Sequence, residues 1–262
     1  MHQHHVKLVS WNVNGIRAIE KKGFADWLRS CGADIVLLQE TKCSPDQLPA
    51  ALRQPDGYYT AWCESEKKGY SGVATFSRIP ALAVERGLGE AHFDREGRVL
   101  ISTFPQFTLF NVYFPSGSSG PDRVAYKLAF YACMLDVLRS HLNAGRRVIV
   151  AGDVNTAYAP IDLARPRENR QTSGFLPAER AALGAFFAAG LVDTFRHIHP
   201  AEVKYSWWTQ RVDARARNIG WRLDYFLVSQ NLLPYLADAD IHPEVPGSDH
   251  CPISLTLALP AS

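Results

Sequence analysis

Patterns of apolar and polar residues predict that helices and short strands recur in both halves of the chain. Helix signals, an apolar stripe or a capped proline start, mark residues 16–31, a short segment from Ser44-Pro45, and residues 122–142 and 177–189. Strand signals mark residues 6–11, 34–38, 59–62, 72–76, 99–104, 108–113, 146–151, 205–208, 222–228, 240–242 and 252–259. Residues 154–175 form a polar, arginine-rich connection, and a connection of this length without its own pattern is usually functional.

The order of these elements predicts the fold class. No linker-like or low-complexity segment separates the halves, so residues 1–262 are expected to form a single domain. Two sheets packed face to face with helices outside, an α/β arrangement, would fit this mixture. A chain of this length buries roughly three quarters of its unfolded surface, which gives a sizeable core without disulfides.

Composition changes this picture little, but the distribution of charge adds to it. With 47% hydrophobic and 21% charged residues, the chain is an ordinary globular protein and not a disordered one. The net charge of +2 does not by itself indicate a polyanionic partner. Two arginine clusters with few acids between them do suggest one, and they comprise Arg165, Arg167 and Arg170, and Arg211, Arg215, Arg217 and Arg222.

The cysteines and the absence of long apolar runs predict a cytoplasmic protein without membrane contact. Five cysteines without metal-type spacing are expected to be reduced thiols. No apolar run approaches the ~20 residues of a membrane-spanning helix, and the N-terminus has no signal-peptide core. The histidines at positions 2, 4 and 5 are either native or a purification tag and are not assigned to a site.

Carboxylates follow three apolar runs of the kind that forms a buried strand. Glu40 follows residues 35–38, Asp153 follows residues 148–151, and Asp224 follows residues 220–223. An acid at the end of a core strand is costly to keep charged unless something pairs with it. A divalent metal ion and a histidine would provide that pairing.

An aspartate and a histidine stand side by side in Gly247-Ser248-Asp249-His250, on a turn that opens the last strand. A turn residue just before a strand can point to the same cleft as its neighbour, so Asp249 and His250 could serve one site. The alternative is that Asp249 caps the turn while His250 packs or faces solvent.

Two further pairs have side chains two positions apart, a spacing that puts both on one face. Asp153 and Asn155 would combine a proton acceptor or metal ligand with an amide donor, unless they form only an Asx turn. Glu40 and Lys42 would combine a hard oxygen ligand with a cation suited to phosphate, unless they form only a surface ion pair.

Aromatic residues at strand ends and among the arginines complete the candidate chemistry. Asn12 and Tyr113 end strands and could reach the same rim, although Tyr113 alone fits a packed core aromatic better. Trp207, Trp221 and Leu223 surround the second arginine cluster, which suits a nucleic-acid surface. The side chain of Trp208 should face opposite to that of Trp207, into the core.

Six blocks in order across nearly the whole chain closely resemble the exodeoxyribonuclease III family of apurinic/apyrimidinic (AP) endonucleases. The blocks are Ser10-Trp11-Asn12-Val13-Asn14-Gly15, Leu38-Gln39-Glu40-Thr41-Lys42, Asn111-Val112-Tyr113-Phe114-Pro115, Gly152-Asp153-Val154-Asn155, Asn218-Ile219-Gly220-Trp221-Arg222-Leu223-Asp224-Tyr225 and Gly247-Ser248-Asp249-His250-Cys251-Pro252. The family belongs to the endonuclease/exonuclease/phosphatase superfamily. The resemblance implies its DNase I-like fold, a four-layer αββα sandwich of two packed mixed sheets with helices outside.

The resemblance also implies roles for individual residues. Glu40 would be the principal metal ligand, with Asn12 and Asp249 nearby. The implied catalytic residues are His250 on the scissile phosphate, Asp224 orienting it, Asp153 and Tyr113 in proton handling, and Asn155 orienting the nucleophile or phosphate. The implied DNA contacts are Trp207, Trp221 and Leu223 around a sugar that lacks its base, and Lys42 and Asn169 on the backbone. Beside these, Arg211, Arg215 and Arg217 are predicted to give sequence-independent phosphate affinity.

The implied activity is that of a monomeric, Mg²⁺-dependent DNA-repair endonuclease in which Mn²⁺ can substitute. It would cleave 5′ to abasic sites in duplex DNA, with 3′→5′ exonuclease or 3′-phosphatase activity on blocked 3′ ends. Two positions depart from some family members. Asn14 replaces an acid, which puts a second metal position in doubt, and Ser116 replaces a phosphate-binding asparagine.

Two other functions are compatible with the same fold. A phosphatase or sphingomyelinase-like phosphodiesterase would have a similar metal site but would not need the arginine-flanked stretch from Trp207 to Leu223. A regulator that binds RNA or protein would be free to lose Glu40, Asp153 or His250, and all three are present.

Overall fold

Two six-stranded β-sheets form the centre of the structure, a computed structural model that describes residues 3–260. His2 therefore lies outside the described residues. The strands are β1 (Gln3–Asn12), β2 (Ile35–Gln39), β3 (Tyr59–Cys63), β4 (Val73–Ser77), β5 (Ala83–Arg86), β6 (Val99–Thr103), β7 (Thr108–Tyr113), β8 (Val148–Asp153), β9 (Leu191–Asp193), β10 (Asp224–Ser229), β11 (Leu236–Ile241) and β12 (Ile253–Pro260). The first sheet has the order β11-β12-β1-β2-β4-β3 and the second has the order β5-β6-β7-β8-β10-β9.

Helices flank the two sheets. They are α1 (Ile16–Glu20), α2 (Phe24–Ser30), α3 (Ala50–Arg53), α4 (Ala91–Asp94), α5 (Pro121–Asn143), α6 (Pro177–Ala188) and α7 (Thr194–Ile198). Short 3₁₀ turns span Pro45–Gln47, Pro160–Asp162 and Gln230–Tyr235. Helices α1 to α3 pack on the first sheet, and α5 and α6 pack on the second. The predicted four-layer αββα sandwich of two mixed sheets is confirmed.

The inner faces of the strands change from apolar to polar along one direction. In β8, Ile149 and Ala151 belong to the core between the sheets, and Asp153 is the next residue on that face. In β1, Leu8 is followed on the same face by Ser10 and Asn12. On each of these inner faces, the apolar residues therefore lie in the core and the last polar residue lies at one edge of the sandwich.

A buried layer of neutral polar side chains separates the apolar core from that edge. The amide of Gln39 donates to Ser10 Oγ (3.0 Å) and to Asn111 Oδ1 (2.8 Å), and Asn111 Nδ2 donates to the carbonyl of Ala74 (2.8 Å). The Gln39–Ser10 bond lies within the first sheet, whereas the two bonds of Asn111 cross between the sheets. Together they leave the layer paired, as buried polar groups require. They hold the ends of β1, β2 and β7 together beneath the charged residues.

Three predicted elements are wrong in detail, for local reasons. The helix predicted over residues 16–31 is broken into α1 and α2, because Gly23 adopts a left-handed conformation with φ of 91°. The strand predicted over residues 205–208 is instead an irregular segment held by single bridges from Trp207 to Trp221 and to His250. Asp224 begins β10 and does not end a strand.

The cysteine prediction agrees with the structure, since all five cysteines are free thiols. Within residues 3–260, no helix combines the length and apolar character that a membrane crossing requires.

Candidate active site

Six strands bring the predicted chemistry to the polar edge of the sandwich. β1 and β2 are parallel, as are β7 and β8, so these four strands end there. β12 is antiparallel to β1 and β10 is antiparallel to β8, so these two begin there, with Asp224 directly opposite Asp153. The side chains gathered at this edge are Asn12, Glu40, Tyr113, Asp153, Asp224 and His250.

An amide of the first sheet joins carboxylates from both sheets. Asn12 Nδ2 donates to Glu40 Oε1 (2.8 Å) and to Asp153 Oδ2 (2.9 Å). One ligand atom from each of Glu40, Asp153 and His250 lies within 4.8 Å of the other two. Carboxylate oxygens are the donors that hard divalent cations prefer, so the residues present fit a metal ion such as Mg²⁺.

The similar strings Asn12-Val13-Asn14 and Asp153-Val154-Asn155 form the same turn in the two sheets. The backbone N–H of Asn14 donates to Asn12 Oδ1 (3.0 Å), and that of Asn155 donates to Asp153 Oδ1 (2.8 Å). Asn14 and Asn155 both adopt left-handed conformations, with φ of 46° and 52°. The Asx turn considered for Asp153 is thus present, and it fixes the carboxylate while leaving Oδ2 toward the cluster.

Gly152 allows β8 to carry Asp153 close to β7. Its φ is 137°, and a Cβ atom at this position would lie 1.9 Å from the carbonyl oxygen of Val112. Any side chain here would have to displace backbone, so the sequence needs glycine immediately before the site carboxylate.

A chain of hydrogen bonds orients His250. Its Nδ1 donates to Asp224 Oδ2 (2.8 Å), and its Nε2 lies 3.7 Å from Asp153 Oδ2. Ser206 Oγ donates to the same oxygen of Asp224 (2.6 Å) and accepts the backbone N–H groups of Leu223 (3.0 Å) and Asp224 (3.1 Å). Because Asp224 fixes Nδ1, Nε2 is the imidazole nitrogen left for a ligand.

The pKa values of the two central groups, Asp153 and His250, are both raised, but for different reasons. Burial raises the pKa of Asp153 to about 7, with Asp224 and Glu40 adding to the rise and His250 opposing it. Burial alone would lower the pKa of His250, but Asp224 and Asp153 outweigh it and raise the value to about 10. His250 is therefore an imidazolium at neutral pH, and Asp153 is close to its titration point.

The pKa values of Glu40 and Tyr113 are shifted in the directions that favour their usual charge states. Burial opposes ionisation of Glu40, but Lys42, whose Nζ lies 2.8 Å from Oε2, and the Asn12 amide lower its pKa. Burial and the nearby Glu40 raise the pKa of Tyr113 well above its usual value. Glu40 is thus a carboxylate and Tyr113 a neutral phenol that can donate a hydrogen bond.

Asp249 lines the same cavity as His250. Its Oδ1 accepts from Asn14 Nδ2 (2.9 Å) and its Oδ2 accepts from Trp207 Nε1 (3.3 Å). Burial opposes its ionisation, but His250 and these donors lower its pKa. Asn14, the departure from some family members, therefore acts here as a donor to Asp249.

A cavity of about 600 Å³ opens beside the cluster. Trp207 and Trp221 line it with ring centroids 6.4 Å apart and planes at 83°, and Leu223 and Asn169 line it as well. Trp208 is buried in the core between the sheets, as its predicted orientation requires. The structure thus joins the predicted aromatic wall to the predicted charged residues.

The arginines of the second cluster lie in three different environments. Arg211 and Arg217 are exposed. Arg222 is buried and paired with Asp162 and Asp193, so including it in a surface cluster was wrong. The guanidinium of Arg215 is hydrogen-bonded to backbone carbonyls of the segment before Asp249.

The sequence reasoning missed Ser206 and a fully buried ion pair next to Asn155. Lys127 Nζ lies 2.7 Å from Glu179 Oε1 and donates to the carbonyl of Asn155 (2.6 Å). The signal was present, because Lys127 stands three and four positions before Phe130 and Tyr131 on the buried stripe of α5. A lysine within an apolar stripe requires a buried acidic partner.

Comparisons with known proteins agree with this geometry. Residues 9–250 match the Endonuclease/Exonuclease/phosphatase family. The chain is 43% identical over 254 residues to an exodeoxyribonuclease of Bacillus subtilis, a match that covers 96% of this chain and 99% of that protein.

Solved structures show the same fold. The AP endonuclease LMAP from Leishmania major superposes with a TM-score of 0.89 at 31% identity, over 98% of this chain and 88% of that one. The 3′ phosphatase NExo from Neisseria, bound to a product DNA hairpin, superposes with a TM-score of 0.88 at 28% identity, over 95% of this chain and 98% of that one. Likeness in sequence and in fold therefore extends over nearly the whole chain.

Proposed function

The chain belongs to the endonuclease/exonuclease/phosphatase family, and from that premise we propose that it is a metal-dependent DNA-repair endonuclease that cleaves 5′ to abasic sites in duplex DNA. The observation that carries this function is the position of Glu40, Asp153 and His250, within 4.8 Å of one another, beside a cavity walled by Trp207 and Trp221. Charged groups suit a phosphate, and an aromatic wall suits a sugar without a base. Because the relatives include an exodeoxyribonuclease and a 3′ phosphatase, the proposal includes 3′→5′ exonuclease or 3′-phosphatase activity on blocked 3′ ends.

The metal in this proposal is Mg²⁺, with Mn²⁺ as a substitute. Glu40, Asn12 and Asp249 would hold it, and the ionised state of Glu40 and Asp249 supports that role. When bound, such an ion stabilises the negative charge that develops on phosphate oxygens during hydrolysis. A bound cation would also lower the pKa of Asp153, which lies next to Glu40 in the cluster.

His250 is proposed to bind the scissile phosphate as an imidazolium. With Nδ1 donating to Asp224, Nε2–H is directed to the site and can donate to a phosphate oxygen. A donor that is fixed before the reaction costs no reorganisation when charge develops on that oxygen. The raised pKa of His250 also means that it is not free to accept a proton at neutral pH.

Asp153 is the residue proposed to accept the proton of the attacking water. With the cation bound and the pKa of this carboxyl lowered, Asp153 would be ionised at neutral pH, which is the form that accepts a proton. Asn155, whose Nδ2 donates to the carbonyl of Phe114 (2.9 Å) and to Asp153 Oδ2 (3.3 Å), would orient the water or the phosphate. Tyr113, a neutral phenol, would donate to an oxygen of the same phosphate.

The DNA would lie across the open side of the cavity. Trp207, Trp221 and Leu223 would enclose the baseless sugar, and Asn169 and Lys42 would contact the backbone. Arg211 and Arg217 are exposed on the same loop and would bind phosphates without reading sequence. In this proposal residues 1–262 form one domain that works as a monomer in the cytoplasm, a location that suits five free thiols.

Turnover of defined duplexes would test the proposed function. The substrates are matched duplexes that contain an abasic site, a 3′-phosphate, a nick or no lesion, each incubated with Mg²⁺ or with EDTA. We expect cleavage 5′ to the abasic site in Mg²⁺, slower removal at the blocked end, and no reaction in EDTA. Equal rates on the abasic and intact duplexes would contradict the abasic specificity, and activity in EDTA would contradict the metal dependence.

A further inference from the structure

We infer that Arg215 is a positioning residue that ties the DNA-facing loop, residues 209–218, to the segment that carries Asp249 and His250. The inference rests on the proposed function and reassigns a residue that the sequence placed on a DNA phosphate. Arg215 touches neither the cluster nor the cavity, so it would act through the backbone of its partners.

The guanidinium of Arg215 makes three hydrogen bonds to one short segment. Nη1 donates to the carbonyl of Ser248 (2.9 Å), and Nη2 donates to the carbonyls of Pro243 (2.8 Å) and Val245 (2.7 Å). Within residues 3–260, no carboxylate lies within 4.0 Å of this guanidinium, so backbone dipoles take the place of a counterion. A planar fork of donors suits several converging carbonyls in a way that a lysine ammonium does not.

The guanidinium also lies over the indole ring of Trp208. The Cζ atom lies 4.7 Å from the ring centroid, a cation–π distance. Trp208 is itself buried in the core, and its backbone N–H donates to the carbonyl of Asp249 (3.0 Å). Arg215 is thus held between a buried core residue and the backbone of residues 243–248.

The segment beyond Arg215 leads directly into the catalytic residues. Ser248, whose carbonyl Arg215 binds, also donates through Oγ to the carbonyl of Asn12 (2.8 Å) and accepts the backbone N–H of His250 (3.2 Å). Releasing the segment would therefore loosen Asp249 and His250 together. A displacement of about 1 Å in a reacting group can cost on the order of 10²-fold in rate.

The consequence is a kinetic signature that differs from that of a phosphate contact. Loss of a positioning residue lowers the rate of the bound complex, whereas loss of a phosphate contact weakens DNA binding and its salt dependence. Arg217 provides the contrast, because it is on the same loop, has the same charge and is exposed.

The test compares Arg215→Ala, Arg215→Lys and Arg217→Ala with the unaltered protein. Single-turnover cleavage of the abasic duplex at saturating protein gives the rate of the complex. Equilibrium binding of the same duplex in EDTA, repeated over a series of salt concentrations, gives the affinity and its salt slope. Hydrogen exchange of the free protein reports the amides of residues 244–251, and thermal unfolding shows whether each variant is folded.

We expect Arg215→Ala to slow the bound complex by about 10- to 100-fold, with little change in DNA affinity and faster exchange in residues 244–251. Arg215→Lys keeps the charge but loses the planar set of donors. Its rate should therefore lie between that of Arg215→Ala and that of the unaltered protein, while its stability stays close to that of the unaltered protein. Arg217→Ala should instead weaken binding and lower the salt slope by about one.

The inference is overturned if Arg215→Ala weakens binding with an unchanged rate and Arg215→Lys restores the affinity, which is the result a phosphate contact would give. It is also overturned if exchange in residues 244–251 is unchanged in a folded Arg215→Ala or Arg215→Lys variant. Failure of the proposed function is a separate outcome, namely an unaltered protein that does not cleave abasic DNA. The exchange measurement tests Arg215 in that case too.

Discussion

The structure contains two clusters of charged side chains, and their negative charges are balanced in different ways. The paired cluster consists of Asp162, Asp193, Arg196 and Arg222, and the site cluster consists of Glu40, Asp153, Asp224, Asp249, Lys42 and His250. Arg222 and Asp224 are only two residues apart, so the chain at the start of β10 contributes a residue to each cluster. The difference between them lies in how acids and bases are matched.

In the paired cluster, two carboxylates meet two guanidinium groups. Arg222 binds Asp162 through Nε (2.9 Å) and Asp193 through Nη2 (2.7 Å), and Arg196 binds Asp162 (2.8 Å). Burial opposes ionisation of Asp162, but Arg222 outweighs it and lowers the pKa. Each acid has its counterion, and the cluster fastens the residues that precede β10 to the loop around Pro160–Asp162.

In the site cluster, four carboxylates meet one lysine and one histidine. Asp224 Oδ1 is buried without a hydrogen-bond partner among the described residues, and Asp153 has its pKa raised to about 7. Excess buried negative charge is unfavourable for folding. In the proposed function, a divalent cation would neutralise this surplus, whereas the paired cluster has no surplus to neutralise.

The largest effect is expected from removing a carboxylate of the site cluster. Asp153→Asn and Glu40→Ala should abolish hydrolysis. Asp153→Asn removes the proposed base, whose loss alone costs about 10²- to 10⁴-fold, and Glu40→Ala removes a proposed metal ligand. Melting temperatures in EDTA should be no lower than that of the unaltered protein, because each change removes surplus charge and not core volume. Single-turnover cleavage and circular dichroism would check both, and an unaltered rate in a folded variant in Mg²⁺ would contradict the assignment.

The next largest effect is expected from the imidazolium that partly offsets the surplus. His250→Asn should slow turnover by on the order of 10²- to 10³-fold, the cost of losing one preorganised donor to a developing oxyanion. DNA affinity should fall far less, because the contacts along the backbone remain. Rate and affinity are measured on the same abasic duplex, and an equal loss in both would show that His250 only binds.

The paired cluster should give the opposite pattern. Asp162→Asn leaves Arg222 with an incomplete set of partners, so the free energy of unfolding should fall by about 3 kcal/mol. The turnover rate of the folded protein should change little. Urea unfolding and single-turnover cleavage separate the two effects, and a lost rate at unchanged stability would contradict the division between the clusters.

The pH dependence of that variant follows from the lowered pKa of Asp162. A carboxyl whose pKa is lower in the folded than in the unfolded state stabilises the protein above its unfolded pKa, about 3.9, and loses this contribution as pH falls through the folded value. The stability difference between Asp162→Asn and the unaltered protein should therefore be constant at neutral pH and shrink only below pH 4 or so.

The smallest effect is expected at the wall of the cavity. Trp221→Ala should narrow the ratio of rates on abasic and intact duplexes by about tenfold, or ~1.4 kcal/mol. The reason is that an intact base must be unpaired and unstacked before its sugar can enter, and the wall adds to this preference. Trp62, on β3 away from the cavity, offers a matched control in Trp62→Ala. An unchanged ratio with both substrates slowed alike would make Trp221 a packing residue.

The sequence by itself determined the layers of this fold and most of its charged site. The two-residue period of a strand puts Asn12 on the same face as Leu8, and Asp153 on the same face as Ile149 and Ala151, so each lies at the polar end of its face. Six motifs in order then supplied the family, and the residues they contain do converge, with Asp224 bonded to His250 at 2.8 Å. Strand periodicity and short motifs depend only on residues that are near each other in the sequence.

Only the tertiary structure decided how the buried polar groups pair. Ser206 reaches Asp224, Lys127 reaches Glu179, and Arg215 reaches carbonyls about thirty residues away, the separation to Ser248 being 33. An arginine on a loop can turn to solvent or to its own backbone, and periodicity does not distinguish the two. The choice depends on which carbonyls the fold leaves without donors nearby, because a buried carbonyl without a donor is costly, and that is settled only when distant segments meet.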